Sequence, residues 1–582
     1  MLAALIASVI PLYLAWSALS LYNNVRLAKA SGLRVHVSPI STRNPLWMLF
    51  QPALVAILER LGVDTDEWLK LTKRSWNFHD RYRMHQRYGK VFAHATPSDI
   101  EVFVADAAAS DELLARKRDF LKPMHMVQII DVYGPSVAST DGADWSRHRR
   151  ITATPFNERN NRIVWGESLR QTAQLLAYFE RGVGTDDGST GMLAEDSMTL
   201  TLNILTAAGL GFSCDFRGAE KKVKKDVSED EEKAERDAVS PGYRDCLAAV
   251  LEDFLPMGLL PKMVWSLPQW LMPKVLQEYD LHKQTLKRFM VEMVEKTRYE
   301  GSEHANLLSV LVQKNEEARQ QKEALSGSTK GLSDDELYGN VFIYSFAGHE
   351  TTAHAVCYAM YLLAAYPEVQ DWVAEEAQSV LGTAELEHLS YDEIFPRLKR
   401  ALGVMYETLR LYPPVLSIPK TTGPTPQLLT VPSANNLTAT IPAHACVFPN
   451  VVALQSDPDY WGPDSLLWNP ARWIEKKRNS DHEQQGEEED EESVKPPPVK
   501  GSFIPWADGP RVCPGKKFSQ VEFVAVVAAV LRAHRVEVVP QPGGESCEEA
   551  RKRILEVVED TSYGATLFMR NPEKVRVRIV RR

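Results

Sequence analysis

The sequence contains few cysteines, and their arrangement argues against two classes of protein. Six are scattered over 582 residues, and no two form a CxxC pair; they are Cys214, Cys246, Cys357, Cys446, Cys513 and Cys547. A disulfide scaffold and a structural zinc site both need a denser or more regular pattern. The cysteines instead indicate reduced thiols in a protein that faces the cytosol. We expect five of the six to be packing residues.

Excess positive charge is also absent. The net charge is −10, which argues against general affinity for nucleic acids. Much of the negative charge is local, because Glu487 to Glu492 is an unbroken run of six acids. That run lies in an insertion at about 475–500, which the sequence predicts to be a disordered, solvated loop. A second charge-rich stretch runs from Glu220 to Arg236. No internal repeat and no clear domain junction interrupt the chain.

Charged side chains are missing from the amino terminus. From Leu2 to Tyr22 there are none, and as a helix these residues would span about 31 Å, close to the roughly 30 Å of a bilayer core. Basic residues follow at Arg26, Lys29 and Arg34. The sequence therefore predicts a transmembrane anchor at 1–22, a linker at 23–75 and a catalytic domain at 76–582 that faces the cytoplasm.

A cleaved signal peptide is the alternative for the same segment. The small residues Ala15 and Ser17 fit a cleavage site, whereas the long apolar stretch and the missing basic n-region do not. The sequon Asn436-Leu437-Thr438 distinguishes the two, because Asn436 stays unglycosylated in a cytoplasmic body.

The body is predicted to contain long buried helices and short strands. Ser333-Asp334-Asp335-Glu336 is a capping box, and the apolar residues after it predict a helix from about Asp334 to Tyr366. Further helices are predicted from Tyr391 to Leu411 and from near Gly515. Strands are expected between Thr421 and Phe448 and near the carboxyl terminus.

The segment from Phe503 to Gly515 carries the most specific pattern. It reads Phe-Ile-Pro-Trp-Ala-Asp-Gly-Pro-Arg-Val-Cys-Pro-Gly, which describes a rigid turn around Cys513. The helix predicted after it would favour the thiolate form of Cys513, and a thiolate is a good axial ligand for haem iron. Arg511 is placed to pair with a haem propionate.

This segment resembles the cysteine-ligand loop of the cytochrome P450 family, F-x-x-G-x-R-x-C-x-G. Gly509, Arg511, Cys513 and Gly515 match the pattern, and Trp506 stands where phenylalanine is usual. The resemblance implies that Cys513 is the metal ligand and that these neighbours help to bind haem b.

The predicted long helix contains Ala347-Gly348-His349-Glu350-Thr351-Thr352, which resembles the oxygen-binding segment of the family. The resemblance implies that Gly348 makes room for haem and dioxygen, and that Glu350 and Thr351 relay protons. A threonine bonded back to its own helix is the structural alternative. A zinc site of the H-E-x-x-H type is excluded, because His354 is rotated about 140° from His349.

Two further motifs support the resemblance. Glu407-Thr408-Leu409-Arg410 is similar to the E-x-x-R pair of the family, and Arg472 matches the arginine that completes its buried Glu–Arg–Arg network. Trp145 and Arg149 resemble the W-x-x-x-R motif, whose two side chains share a helix face and could donate to a propionate. Arg147 and Arg150, with Lys516 and Lys517, could form a basic docking patch for an acidic flavoprotein.

The resemblance implies a fold and a reaction. The fold is the family's single large catalytic domain, mainly α with a smaller β-rich lobe. The reaction is insertion of one oxygen atom from O₂ into a small apolar substrate, fed by NADPH and flavins through a partner cytochrome P450 reductase. A location in the endoplasmic reticulum membrane is implied as well. The pocket would be shaped by Met124 to Val132, Val415 to Ile418 and Tyr563, with Phe254 to Met272 near the substrate entrance.

Two alternatives keep the haem but change the activity. An isomerase or dehydratase would rearrange an oxygenated substrate without a reductase, and the Glu350-Thr351 pair argues against it. A membrane-tethered haem binder would perform no chemistry. The sequence around the motifs resembles filamentous-fungal members that modify secondary metabolites.

Overall fold

The computed structural model of the chain describes residues 2–63, 65, 68–181, 189–216, 243, 246–251, 257–258, 260, 264–265, 267–300, 306–324, 331–477 and 491–582. The charge-rich stretch at 220–236 and part of the segment at 254–272 lie outside these residues. The described chain divides into two compact units, each assembled from separate stretches. The first comprises Met1–Pro123, Leu409–Trp468 and Pro496–Cys513, and the second comprises Met124–Thr408, Asn469–Lys495 and Pro514–Arg582.

The first unit is the smaller and is rich in strands. Its helices are α1 (Leu2–Ala30), α2 (Pro45–Arg60), α3 (Trp76–Asp80), α4 (Arg83–Tyr88) and α5 (Ala107–Ala115), with α16 (Val451–Ser456) and α17 (Pro458–Trp461) later in the chain. Its strands are β1 (Arg34–Val37), β2 (Val91–Ala95), β3 (Ile100–Val104), β5 (Lys420–Thr421), β6 (Gln427–Val431), β7 (Leu437–Ile441) and β8 (Cys446–Pro449). Strands β5 to β8 fall in the region where the sequence predicts strands, whereas β1, β2 and β3 were not predicted.

A five-stranded mixed sheet organises the first unit, in the order β1-β2-β3-β8-β5. Strands β2 and β3 are antiparallel and place Ala93 opposite Val102, while β3 and β8 are parallel and place Val102 opposite Val447. These side chains are buried in one apolar core. Strands β6 and β7 form a separate hairpin.

The second unit is mainly helical. Its helices are α6 (Met124–Val127), α7 (Gly142–Thr152), α8 (Glu158–Glu180), α9 (Leu193–Leu205), α10 (Lys274–Glu300), α11 (Leu307–Ala324), α12 (Asp334–Ala365), α13 (Pro367–Leu381), α14 (Tyr391–Ile394), α15 (Lys399–Leu411), α18 (Lys516–Ala533) and α19 (Cys547–Glu559). Its strands are β4 (Ser189–Thr190), β9 (Ile474–Lys477), β10 (Glu491–Val494), β11 (His534–Val538), β12 (Thr561–Tyr563), β13 (Leu567–Met569) and β14 (Val577–Arg581). The border between the units falls inside α15. The predicted fold class, mainly α with a smaller β-rich part, is confirmed.

Helix α12 is the long buried helix that the sequence predicts. Ser333 caps its amino terminus, and the side chain of Glu336 closes the capping box on the Ser333 amide. Its 32 residues make it about 48 Å long. Side chains on all its faces are buried in the second unit, which agrees with a sequence that is apolar on nearly every side.

Two predicted elements differ from the structure. The helix predicted from Tyr391 to Leu411 is broken into α14, a 3₁₀ turn at Phe395–Arg397 and α15. Pro396 explains the break, because proline has no amide hydrogen to donate within a helix.

The acidic insertion is the second difference. Its described ends are not loop but the antiparallel strands β9 and β10, in which Ser493 pairs with Glu475. The guanidinium of Arg400 on α15 binds the carboxylate of Glu492 at 2.8 Å. This ion pair and the strand pairing hold the two ends of the insertion together, whereas the prediction treats residues 475–500 as one disordered segment.

The predicted membrane segment forms the first part of α1, which continues to Ala30. Near its end, the side chain of Asn24 donates to the carbonyl of Thr96 at 2.8 Å. The helix therefore reaches the body of the first unit, past the predicted border after residue 22. Among the described residues, no helix is both long and apolar enough to cross a membrane, so the predicted transmembrane helix is not supported.

Candidate functional site

The loop that carries Cys513 is a tight turn in the first unit. The backbone N–H of Cys513 donates to the carbonyl of Trp506 at 2.9 Å, and that of Val512 donates to the carbonyl of Gly509 at 3.1 Å. A single 3₁₀ turn, Gly509–Arg511, lies between Trp506 and Cys513. The loop therefore fixes Cys513 through its backbone, while the side chain itself is exposed.

Gly509 determines how closely this loop packs on α5. Its φ is +67°, a conformation that strains any residue with a Cβ atom. A Cβ at this position would lie only 2.8 Å from the carbonyl oxygen of Leu114. The Gly509 amide also donates to the side chain of Asp508 at 2.6 Å. Glycine is the residue that this close approach admits.

Trp506 belongs to a row of aromatic rings. It packs edge-on against Phe503, with ring centroids 6.2 Å apart, and Phe503 packs in the same way against Trp461 at 6.3 Å. Edge-to-face packing is favourable for aromatic pairs. The tryptophan therefore keeps the packing role of the phenylalanine that is usual at this position.

The other two motif residues flank Cys513. Arg511 ends the 3₁₀ turn and is partly buried. Gly515 is the N-cap residue of α18, which begins at Lys516 where the sequence predicts a helix.

The remaining cysteines are not all packing residues. Cys246, Cys357 and Cys446 are buried, whereas Cys214 is partly exposed and Cys547 is exposed. The prediction is therefore wrong for Cys547. Cys547 stands at the start of the surface helix α19, and its exposed thiol offers a control for Cys513.

Helix α12 carries the predicted proton-relay pair. The hydroxyl of Thr351 donates to the carbonyl of Ala347 at 2.8 Å. This is the bond back to its own helix that the structural alternative predicts. The hydroxyl oxygen keeps lone pairs and can still accept a hydrogen bond. Gly348 lies on the face of α12 that packs against α9. A Cβ at this position would lie 3.1 Å from a methyl group of Leu205. The structure thus gives Gly348 a helix-packing contact, and its role in admitting dioxygen stays a prediction.

Glu350 lies between two histidines with different environments. Its carboxylate Oε1 is 3.7 Å from Nε2 of His354, one turn further along α12. Burial alone would raise the pKa of Glu350, but His354 and then His349 hold it below the usual value. Nδ1 of buried His349 lies 3.0 Å from the carbonyl of Ser345, and burial lowers the pKa of His349.

The two histidines therefore have separate partners, as their rotation around the helix requires. In the part of the chain that the structure describes, no group of three or more His, Cys, Asp or Glu side chains could hold a metal ion.

Helix α7 carries Trp145 and Arg149 one turn apart. Asp141 caps the helix, with its carboxylate accepting from the Gly142 amide at 2.6 Å. Trp145 is buried and Arg149 is partly buried. Their spacing places them on one face of α7, as predicted.

Arg147 and His148 attach α7 to the start of α12. Arg147 binds Glu336 through two nitrogens, at 2.5 and 2.8 Å, and Nε2 of His148 lies 3.2 Å from the same carboxylate. Burial opposes ionisation of Glu336, but the bonds from Arg147, Ser333 and His148 lower its pKa to about 2. Arg147 is thus a structural ion-pair partner and not part of an exposed basic turn.

The predicted docking patch changes accordingly. Arg150, Lys516 and Lys517 are exposed, whereas Arg147 is partly buried and paired with Glu336. The ammonium of Lys517 lies 4.1 Å from the ring centre of Phe395, and burial lowers the pKa of this lysine. The prediction is therefore wrong for Arg147, and the docking of a flavoprotein on the other three residues stays a prediction.

Glu407 is a buried acceptor in the second unit. Its carboxylate receives bonds of 2.9 Å from Nε of Arg472, from the indole N–H of Trp473 and from the amide of Asn469. These three donors join α15 to the segment before β9. Gly403, one turn earlier on α15, allows that approach, since a Cβ there would lie 3.2 Å from the Pro470 carbonyl.

Arg410 lies on the same helix but in the first unit. Its guanidinium donates to the carbonyls of Gln455, Ser465 and Leu467 at 2.8, 2.5 and 3.1 Å. It also faces the ring of Trp461 at 5.0 Å. Arg410 therefore holds the backbone of residues 455–467 in place. This stretch lies just before Asn469, the first of the Glu407 partners in sequence.

Comparison with known proteins decides the family. The family model for cytochrome P450 matches residues 67–558. The chain belongs to the cytochrome P450 family. It is 27% identical to a cytochrome P450 monooxygenase of Arthrobotrys oligospora, over 97% of this chain and 95% of the relative.

Other relatives are also fungal monooxygenases. A cytochrome P450 monooxygenase of Penicillium rubens is 29% identical, over 92% of this chain and 91% of the relative. A cytochrome P450 monooxygenase of the phomenoic acid biosynthesis cluster of Leptosphaeria maculans is 26% identical, over 83% of this chain and 81% of the relative. The predicted enzyme class, a monooxygenase and therefore an oxidoreductase, is confirmed.

A cytochrome P450 uses haem, and the residues around Cys513 fit that group. The sulfur is exposed on a turn, which a metal ligand requires, while three of the other thiols are buried. The loop is packed closely enough that even a Cβ at Gly509 would collide. The Cys513 sulfur is thus accessible, and the backbone of its loop is fixed.

Sequence reasoning missed two features of the second unit. One is Glu336, which the capping-box pattern identifies only as a helix cap. The other is His354, which was considered only as a zinc ligand and rejected. Its spacing of four residues from Glu350 on a helix was the available signal.

Proposed function

We propose that this cytochrome P450 inserts one oxygen atom from O₂ into an apolar organic substrate, with electrons delivered by an NADPH-dependent cytochrome P450 reductase. The observation that carries the proposal is the exposed side chain of Cys513 on a turn fixed by backbone bonds. A thiolate ligand donates electron density to haem iron and so assists cleavage of the O–O bond.

The chain's own residues would divide the work of holding haem b. Cys513 would ligate the iron, while Trp506, Gly509 and Gly515 shape the loop around it. Trp145, Arg149 and Arg511 carry N–H donors of the kind that bind carboxylates, and we assign them to the propionates.

Proton supply falls to Glu350 and Thr351 in this proposal. The lowered pKa of Glu350 keeps its carboxylate charged at neutral pH, so it can accept a proton and pass it on. The Thr351 hydroxyl can donate and accept, although it donates to the Ala347 carbonyl in this structure.

The substrate class is proposed from the relatives. One relative is named for the phomenoic acid biosynthesis cluster, which supports a role in secondary metabolism. The segments Met124 to Val132 and Val415 to Ile418, with Tyr563, remain the residues that we expect to shape the pocket.

A reconstituted system tests this function. Purified protein is mixed with a cytochrome P450 reductase, NADPH and a panel of apolar compounds under ¹⁸O₂, and products are examined by mass spectrometry. One ¹⁸O atom per product molecule supports the proposal. A product that forms without NADPH and reductase would instead favour the isomerase or dehydratase, and haem binding without any product would favour the simple haem binder.

Two threonine variants distinguish a role of Thr351 in the proton relay from a purely structural role in its helix. Thr351→Ala is expected to lower product formation by roughly 10²-fold, the lower end of what one acid–base group contributes. Thr297→Ala is the control, because its hydroxyl makes the same back-bond to a carbonyl four residues earlier, at 2.8 Å. Equal losses in both variants would reduce Thr351 to a structural residue.

We also propose that the body faces the cytoplasm at the endoplasmic reticulum. Asn436 lies in the exposed turn between β6 and β7, where a glycosyltransferase could reach it. Expression in a eukaryotic cell should leave Asn436 unmodified, and a glycan on it would place the body in the lumen.

A further inference from the structure

A cavity lies beside His354 in the second unit, and its mostly apolar wall carries one carboxylate and one imidazole. Its volume is about 190 Å³, and its lining includes Glu195 and Met198 of α9, His354 and Cys357 of α12, and Phe568 of β13. Since a water molecule in the liquid occupies about 30 Å³, the cavity has room for several waters. Carboxylate and imidazole groups in the wall give such waters hydrogen-bonding partners.

His354 joins this cavity to Glu350. It lines the cavity, and its Nε2 lies 3.7 Å from Oε1 of Glu350. That distance is slightly too long for a direct hydrogen bond and suits an ion pair or a bridging water. The imidazole lies nearly parallel to the ring of Phe568, with centroids 6.0 Å apart. The phenylalanine thereby limits how far the histidine can turn.

The other groups around the cavity do not compete for protons. Burial, and then the nearby charge of Glu195, raises the pKa of the Cys357 thiol, so it stays protonated. Glu195 is exposed in the first turn of α9 and stands where the lining meets solvent. His349, on the far side of Glu350, is buried against a backbone carbonyl and does not line the cavity.

We propose that His354 is a positioning residue for the proton supply of Glu350. It takes protons from the cavity water and passes them to the Glu350 carboxylate. The inference rests on the proposed function, in which Glu350 feeds protons to the reaction. The N–H of protonated His354 gives its proton to the Glu350 carboxylate. The neutral imidazole then takes a proton from cavity water, which is restored by exchange with solvent past Glu195. Nothing is oxidised or reduced in these steps.

A spectroscopic titration tests the inference without turnover. The C=O band of protonated Glu350 is identified by infrared spectroscopy as the band missing in Glu350→Gln, and is then followed against pH. In His354→Gln the midpoint should move to higher pH, because the partner that lowers the pKa of Glu350 is gone. His388→Gln, at an exposed histidine on another element, should leave the midpoint unchanged. An unmoved midpoint in His354→Gln overturns the proposal.

Turnover gives the second readout. NADPH oxidation with reductase should fall about tenfold in His354→Gln, less than for loss of a direct acid–base group, and the solvent isotope effect should increase. Glu195→Gln changes only an exposed side chain and should give a smaller loss in the same direction. Unchanged rates in both variants overturn the proposal, as does a loss without any change in the isotope effect.

A failure of the proposed function remains distinguishable. The carbon monoxide spectrum of the reduced wild-type protein reports thiolate ligation independently of His354. If that spectrum is normal and the His354 variants behave like His388→Gln, only the proton route fails. If the spectrum lacks the thiolate band, the proposed function fails first.

Discussion

Substituting Gly509 tests whether the cysteine loop depends on its close packing. In Gly509→Ala, the new methyl group would lie 2.8 Å from the Leu114 carbonyl oxygen, and the residue would keep a φ of +67°. The left-handed conformation costs about 1–2 kcal/mol, and forcing an extra methyl group into a packed site costs about 1–3 kcal/mol more. We therefore expect a loss of about 2–5 kcal/mol in the free energy of unfolding.

Gly62→Ala is the matched control. Its φ is +73°, and nothing lies within 4 Å of the position that a Cβ would take. This variant should lose only the conformational part, about 1–2 kcal/mol. The difference between the two variants isolates the contact with Leu114.

Denaturant unfolding and haem retention measure the two consequences. Gly509→Ala should unfold at lower denaturant and retain less haem after gel filtration, because the shifted loop carries Cys513. Gly62→Ala should retain haem like the wild type. If both glycine variants lose the same stability and both keep their haem, the packing of the loop does not position the ligand.

Two other substitutions probe carboxylates that accept several hydrogen bonds. Glu407→Ala leaves Arg472 and Trp473 without this acceptor and should lower the free energy of unfolding by about 3–5 kcal/mol. A loss below about 1 kcal/mol would show that the network adds little to the stability. The pKa of Glu336 is about 2 in the folded chain against an ordinary 4.5, so its stabilising effect is full above pH 4.5 and is lost as the pH falls towards 2. That effect is at most about 3 kcal/mol. The unfolding free energy measured from pH 6 to 2 should therefore fall less steeply in Glu336→Gln than in the wild type. Identical slopes would contradict the ion pair with Arg147.

The sequence predicted those elements whose signals are local. Ser333 and Glu336 lie within one turn of each other, so the start of α12 could be identified directly. The turn around Cys513 could be identified for the same reason, because glycine and proline restrict the backbone wherever they stand. The break at Pro396 has an equally local signal, because the proline itself causes it.

Other features depend on residues far apart in the chain. Arg147 looked like one of several surface cations, and only folding brings it to Glu336, 189 residues later. Glu492 looked like the end of an acidic run, yet it binds Arg400. The cavity beside His354 needs a wall from Phe568, near the carboxyl terminus. Periodicity and spacing carry no information on such pairs.

The most direct test of the central claim is the carbon monoxide difference spectrum of the reduced protein in three forms. The wild type should show the long-wavelength Soret band of a haem with a thiolate ligand. Cys547→Ala should retain it, since that exposed cysteine lies on a surface helix, and Cys513→Ala should lose it. A thiolate band that survives in Cys513→Ala would contradict the assignment of Cys513 as the iron ligand.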